Sequence, residues 1–275
     1  MSFANDLSFT VELALGAAKI VLGRHGNVER LIKNNSASQD EAVTEVDRAS
    51  QRYIVERLRQ RFPGDGIIGE ESETGETITA EIPDPMGRNW VIDPIDGTNN
   101  FVAGFPNFAV CIGLMDKGVP VLGVVHDVVR DWSYAGARGC GATLNGRLIS
   151  VPKTPLSNSS ILMLTSNLLV NGKLPAWVPK WMGQTNWKIR LLGSAALEAC
   201  QVGAGVAHAA VTVNGKLWDL AAPAAVVIEA GGVITDLAGQ PIFPFDLRNY
   251  TGAKVPFVAA GPAALPQVLQ DINQQ

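Results

Sequence analysis

The stretch Trp90–Phe101 reads Trp-Val-Ile-Asp-Pro-Ile-Asp-Gly-Thr-Asn-Asn-Phe and sets two carboxylates, Asp93 and Asp96, on a segment stiffened by Pro94. Trp90, Val91 and Ile92 predict the end of a buried strand, and Pro94 predicts that its ladder goes no further. Gly97-Thr98 adds a tight turn with free backbone N–H groups. Two acids beside unpaired amides make a place for a hard cation next to a phosphate. The plainer account is an Asp-Pro turn capped by Asp96, but the complete run is rarer than its parts, and further acids stand elsewhere. Glu70 and Glu71 follow the apolar pair Ile67-Ile68, a short strand that aims one of them at the edge where Asp93 emerges. Adjacent acids are otherwise ordinary solvated loop charges. Asp219 precedes the helix-length apolar run Leu220–Ile228 and is predicted to be its N-cap, with Pro223 in the first turn. Brought together, Glu70, Asp93, Asp96 and Asp219 would repel one another by roughly 4 kcal/mol per pair at ~4 Å and an effective dielectric of ~20. Such a cluster makes physical sense only around a cation or with raised pKa values. Oxygen donors without His or Cys select Mg²⁺ or Mn²⁺ over Zn²⁺. A phosphate ester is the natural partner, since the ion neutralises its oxygens and activates water.

These residues also carry a resemblance. Asp93-Pro-Ile-Asp-Gly-Thr98, with Gly69-Glu70-Glu71-Ser72 upstream and Trp218-Asp219-Leu220-Ala221-Ala222 downstream, resembles the signature set of the inositol monophosphatase family, Mg²⁺-dependent and lithium-sensitive phosphatases. The three motifs span most of the chain in the family's order. The resemblance implies that Glu70 and Asp93, with the Ile95 carbonyl, hold one ion, and that Asp93, Asp96 and Asp219 hold another, for two or three ions in all. It implies that Thr98 helps Glu70 orient the water, that Gly97 and Thr98 amides bind phosphate, and that Asp47 leans toward the metals. Gly193-Ser194-Ala195-Ala196 matches the family turn that meets the leaving group through its backbone. Two departures weaken myo-inositol as the substrate. His208 stands where the family commonly has Asp, and Thr212 stands where inositol-specific members place a Glu against sugar hydroxyls. The imidazole reads as a packed or surface group, since the mechanism needs none.

Stepwise periodicity predicts the elements that must hold these groups. Residues 6–24 form an amphipathic helix. A polar loop, Lys33–Asp40, leads to a second helix that Asp47 is placed to cap. Thr74–Asn89 is predicted to be an exposed loop. Phe108–Met115, Val119–Asp127 and Trp132–Ala135 alternate as antiparallel strands, and Leu144-Asn145-Gly146-Arg147 signals a hairpin. The Gly139–Gly141 pair does not open a helix and is no nucleotide loop. Past Pro155 the pattern turns α/β: strands at Ile161–Thr165, Ile189–Leu192, Ala207–Val213, Val233–Thr235 and Val255–Ala260, helices at Ser194–Val202 and Asp219–Ala230, and a last helix from Pro262. Pro175–Trp187, with Trp177, Trp181 and Trp187, reads as a surface segment whose apolar area could mark the interface of the homodimer that the resemblance implies. The fold class is therefore α/β, an α+β layered sandwich: an antiparallel N-terminal sheet with paired helices, then a smaller C-terminal α/β half. The halves meet near 152/153 and act as one catalytic unit.

Composition removes other classes. The 275 residues carry a net charge of −4, which gives no electrostatic reason for nucleic acid or an anionic membrane as partner. No apolar run approaches a membrane span, and the start has no signal-like pattern. Cys111, Cys140 and Cys200 are odd in number and scattered, and read as reduced, packed thiols of a cytoplasmic protein. A Mg²⁺-dependent phosphomonoesterase of inositol monophosphate or a related polyol phosphate leads. Histidinol-phosphate, fructose-1,6-bisphosphate and nucleotide-bisphosphate phosphatases share the motif, although Asn99-Asn100 and the Val102–Pro106 run favour the inositol branch. A catalytically idle regulatory module is the rival of another class, and keeping a repulsive cluster would give it nothing.

Overall fold

The computed structural model describes residues 3–24, 31–32, 42–43, 45–72 and 79–274. The chain begins with α1 (Ala4–Leu22), a two-residue pair β1 (Leu31–Ile32) and β2 (Ala42–Val43), and α2 (Glu45–Arg61). Next come β3 (Gly66–Gly69), β4 (Thr79–Glu81), β5 (Arg88–Asp96) and the short α3 (Thr98–Ala103). A meander follows: β6 (Ala109–Asp116), β7 (Val119–Asp127), β8 (Trp132–Ala137), β9 (Gly141–Leu144) and β10 (Arg147–Ile149). The remainder is β11 (Ile161–Leu164), α4 (Trp177–Gly183), β12 (Lys188–Arg190), α5 (Ala195–Gly203), β13 (Ala209–Thr212), α6 (Leu217–Glu229), β14 (Val233–Thr235), β15 (Phe257–Ala260) and α7 (Leu265–Asn273).

Eight strands form one sheet in the order β10-β9-β8-β7-β6-β5-β3-β4, antiparallel except where β3 runs parallel to β5. Five form a second sheet, β12-β11-β13-β15-β14, in which β11 is parallel to both its neighbours. Alternation along the strands decides the layers. Ile67, Trp90, Ile92, Ile112 and Leu114 point to the core under α1 and α2, while Ile68, Val91, Cys111, Met115 and Val125 point to the core under α5 and α6. On the second sheet, Met163, Ala210 and Ala259 meet α5 and α6, whereas Leu162, Leu164, Val211 and Val258 meet Trp177, Trp181 and Val268 on the outer helices. The result is helices, sheet, helices, sheet, helices, the layered α/β sandwich that the patterning predicts. Between two sheets α6 is apolar nearly all round, as a fully enclosed helix must be.

Glycines decide how close the middle helices come. Gly113, Gly123 and Gly136 are cross-strand neighbours on β6, β7 and β8. A Cβ on Gly123 would stand 2.1 Å from the Ala222 carbonyl oxygen, and one on Gly113 would stand 2.8 Å from the Ala222 nitrogen. The three form a trough across the sheet in which the α6 backbone lies, and this trough fixes where Asp219 stands.

Several expectations are corrected. The β5 ladder does not stop at Pro94: pairing is lost after Asp93↔Cys111 and resumes at Asp96↔Ala109, with Pro94 inside the irregularity, where its missing N–H costs least. Thr79–Glu81 and Arg88–Asn89, expected within a loop, are strand, because β4 pairs with β3 and β5 begins before its apolar run. Asp47 lies inside the first turn of α2, and Asp219 inside that of α6, so neither is the N-cap; Pro223 consequently falls in the second turn. The tryptophan segment forms α4, with Trp177 and Trp181 buried and Trp187 packed on them, so its tryptophans do not form the exposed apolar area expected of them. Cys140 is exposed, since it sits in the turn before β9, while Cys111 and Cys200 are buried. The expected loop Lys33–Asp40 lies outside the described residues.

Candidate active site

Parallel pairing of β3 with β5 brings both carboxyl ends to one edge of the large sheet, and with them Glu70, Asp93 and Asp96. In a regular strand residues three apart face opposite ways. The irregularity at Pro94-Ile95 cancels that and turns both aspartates into one cleft. The bend is held locally: the Asp93 carboxylate accepts the Ile95 N–H at 3.0 Å, and the Thr98 hydroxyl donates to the Ile95 carbonyl at 2.9 Å. Gly97 adopts φ +92° to start α3 immediately afterwards, a conformation costly for a residue with a Cβ. Asp219 arrives from α6, its carboxylate accepting the Lys216 N–H at 2.8 Å. Oxygens of Asp93, Asp96 and Asp219 lie within 4.8 Å of one another.

Asp96 is anchored from the far side. It accepts the Ser194 hydroxyl and the amides of Ala196 (2.9 Å) and Ala195 (3.2 Å) at the start of α5, where helix geometry leaves N–H groups free. Glu198, one turn on, accepts the amides of Leu192 (2.8 Å) and Gly193 (3.0 Å). The Leu192 carbonyl in turn accepts from Asn100 (2.7 Å) and Asn107 (3.1 Å). The Gly193 turn is thereby tied both to α5 and to the segment following Asp-Gly-Thr.

Without a cation the cluster is electrostatically frustrated. Burial raises the Asp93 carboxyl well above the usual range, and the charges of Glu70, Asp96, Asp219 and Asp47 raise it further. Asp219 is pushed up to about 7 by burial and by the charge of Asp96, against the Lys216 amide bond and a bond to Asp93. Burial raises Asp96 too, opposed chiefly by the Ser194 hydroxyl and the Ala196 amide. Three converging carboxylates in this state form an all-oxygen donor set that fits a hard divalent cation. The cleft they open into, ≈ 410 Å³, is lined also by Glu71, Thr165, Asn167, Thr212, Asn214 and Lys254 and is the size of a small-molecule site.

A profile described as the inositol monophosphatase family matches residues 4–274. The chain belongs to that family. It is 35% identical over 246 residues to a fructose-1,6-bisphosphatase/inositol-1-monophosphatase of Thermotoga maritima, covering 89% of each chain. It is 32% identical over 277 residues to a putative Nus factor SuhB of Neisseria meningitidis, covering 97% of each. A solved structure of a Thermotoga maritima IMPase superposes with a TM-score of 0.83 at 32% identity, covering 98% of this chain and 97% of that one.

Within the inositol monophosphatase fold as this chain builds it, Glu70, Asp93, Ile95, Asp96, Gly97, Thr98, Gly193, Ala195, Thr212 and Asp219 all line the cleft. Two expected residues do not. Asp47 is buried and acts on Asp93 through its charge. Ser194 is buried and bonded to Asp96. Glu71 is held against α2, its amide donating to Gln51 at 3.0 Å. His208 lies away from the acids, near Thr154 at 3.4 Å, its imidazole pKa lowered by partial burial. Sequence reasoning missed Asn100, Asn107, Glu198 and the Thr165–Asn167, Asn214 and Lys254 wall. Glu198 alone left a signal: an acid inside the apolar run of α5 must find donors or stay protonated.

Proposed function

We propose that the chain is a Mg²⁺-dependent phosphomonoesterase acting on inositol monophosphate or a related small polyol phosphate. One observation carries this: three carboxylates from β5 and α6 meet within 4.8 Å, beside the first amides of α3, in a cleft of small-molecule size. Family membership supports a phosphatase of this superfamily, and the family is Mg²⁺-dependent. Glu70, Asp93 and the Ile95 carbonyl would hold one ion and Asp93, Asp96 and Asp219 a second. Bound Mg²⁺ supplies charge neutralisation for the phosphate and lowers the pKa of water. The remaining work falls to the chain itself. Glu70 and Thr98 orient the attacking water; the Thr98 hydroxyl, with its proton committed to Ile95, has lone pairs to accept from it. Gly97 and Thr98 amides bind phosphate, Asp47 deepens the negative field behind Asp93, and Gly193, Ala195 and Thr212 face the leaving group. Ser194 acts on Asp96 in place of the substrate. Asp219 comes from beyond the 152/153 seam and Asp93 from before it, so both halves serve one catalytic unit.

The direct test is phosphate release from inositol 1-phosphate and glycerol 2-phosphate with and without Mg²⁺. Metal-dependent release supports the reading; none from either substrate, in a protein that folds and binds Mg²⁺, favours the regulatory role suggested by the relatives named SuhB. Inhibition by millimolar lithium and a homodimeric mass in solution are further expectations drawn from the family alone. No helix among the described residues is long and apolar enough to cross a membrane, and a cytoplasmic site of action is proposed with the rest.

A further inference from the structure

The turn between β12 and α5 lines the cleft with Gly193 and Ala195, and the side chain that commands it stands behind, buried in the first turn of α5. Glu198 reaches back past the N-cap Ser194, and its Oε1 accepts both the Leu192 N–H (2.8 Å) and the Gly193 N–H (3.0 Å). The reach resembles that of a capping-box acid, extended to two residues outside the helix. From the other side Asn100 and Asn107 both donate to the Leu192 carbonyl. Asn107 cannot swing away freely, since its Oδ1 accepts from Arg130 at 3.3 Å, and Arg130 is itself held by Asp127. Gly193 closes the turn at φ +79°, where an added Cβ would stand 3.0 Å from the Asn100 amide nitrogen.

These bonds decide what the turn has left to offer. The Leu192 and Gly193 amides are spent on Glu198, and those of Ala195 and Ala196 are spent on Asp96. The Leu192 carbonyl is filled twice over. The Gly193 carbonyl, 3.1 Å from where a Cβ on Gly97 would lie, has no such commitment. Removing the Glu198 carboxyl would leave two enclosed N–H groups without an acceptor, which a protein rarely tolerates, so the turn would rotate to find one in the cleft. Burial pushes the Glu198 pKa up to about 8, and its Oε2 has no hydrogen-bond partner among the described residues. The neutral acid is therefore the form that glutamine copies in shape and in its carbonyl acceptor.

We infer that Glu198 is a positioning residue for the leaving group: by taking the Leu192 and Gly193 amides it makes the Gly193 turn an acceptor, not a donor, toward the substrate. The inference rests on the phosphatase reading above.

The test is the ratio of kcat/KM for inositol 1-phosphate to that for phenyl phosphate, whose leaving group carries no further hydroxyl to donate. Glu198→Met should lower the ratio about tenfold, and Glu198→Gln, which keeps the acceptor, should hold it within about twofold of wild type. Asn107→Ala, which loosens the turn from the carbonyl side, should lower it about threefold and serves if the methionine variant does not fold. A ratio unchanged in Glu198→Met, with both substrates falling together, would make the role structural only and overturn the inference. So would a glutamine variant as impaired as the methionine one, or, where methionine does not fold, an unchanged ratio in Asn107→Ala. If neither ester is hydrolysed by wild type, the phosphatase reading fails on its own, and calorimetric binding of inositol 1-phosphate against inorganic phosphate in Mg²⁺ buffer decides. Affinity for inositol 1-phosphate about tenfold weaker in Glu198→Met, with inorganic phosphate unaffected, supports the positioning role. Equal shifts, no shift, or no binding by wild type overturn it.

Discussion

The acid wall of the cleft and the wall facing it are built on different principles. On the acid wall, Asp93 and Asp96 are buried, come from one irregular strand and strain against each other. Opposite them, Thr212 and Asn214 come from the end of β13 and Lys254 from the approach to β15, and their polar groups are neutral or positive. The first arrangement has one use, gathering cations, and tolerates little change. The second can vary without touching that use. On the proposed function, chemistry and selection of substrate would be separated in space, and substitutions on the two sides should have separable consequences.

The largest effect is expected at Asp93. Asp93→Asn should lower kcat/KM at least a hundredfold, the scale of removing a key electrostatic group, and should abolish the rise in melting temperature that Mg²⁺ gives. Its metal-free form should nonetheless melt higher than wild type, because the repulsion from Glu70, Asp96 and Asp219 is relieved. A metal-free melting temperature below that of wild type would show that the cluster is not frustrated, and the contrast between the walls would lose its basis.

Next in size is the trough. Gly123→Ala places a Cβ 2.1 Å from the Ala222 carbonyl oxygen, backbone against backbone, and should cost about 3 kcal/mol in denaturant unfolding. Since α6 would shift with Asp219 on it, Mg²⁺ affinity should weaken as well. Unchanged stability would mean that the helix position is not set by these glycines.

The pH dependence follows from acids whose folded pKa values are raised. Asp219 is raised to about 7 and Glu198 to about 8, the latter chiefly by burial. Between the unfolded values, near 4, and these, the folded state binds more protons than the unfolded one, so stability falls as pH rises. The melting temperature of metal-free protein should therefore drop from about pH 4 to about pH 8. Added Mg²⁺ should restore it most at the upper end. Glu198→Gln should flatten the upper part of the curve and leave the Mg²⁺ response in place. A metal-free curve that rises across this range would mean that Asp219 and Glu198 are not raised in the folded state.

The same division marks what the chain's order of residues could reveal. Glu70, Asp93, Asp96, Asp219 and Thr98 were legible because motif and strand-end position sit together in short segments, and the layers were legible because periodicity is local. The Pro94 irregularity was misread as a strand end, since a proline looks the same whether a ladder stops or skips. The trough was invisible: Gly113, Gly123 and Gly136 acquire meaning only when register makes them neighbours. Lys254 is likewise ordinary until β15 runs antiparallel to β13. Burial of Trp177 and Trp181 depended on α7 covering them, with Asp271 accepting the Trp181 N–H at 3.1 Å, a contact across 90 positions.

The smallest effect, and the sharpest test of the separation, concerns Thr212. Its hydroxyl is buried in the selecting wall, at the end of β13, and touches none of the acids' hydrogen bonds. A charged acceptor meeting substrate hydroxyls contributes roughly 1.5–3 kcal/mol, against about 0.5–1.5 for a neutral one, a difference of about one order of magnitude in preference. Thr212→Glu should raise the ratio of kcat/KM for inositol 1-phosphate to that for glycerol 2-phosphate by about tenfold. The Mg²⁺ concentration giving half-maximal rate should move by less than about twofold, because the acids stand on the other wall. If that concentration shifts as much as the selectivity does, the two walls are not independent, and position 212 reaches the metals after all. If neither quantity moves, selection lies elsewhere along the Thr165–Asn167 edge, and the wall must be dissected there.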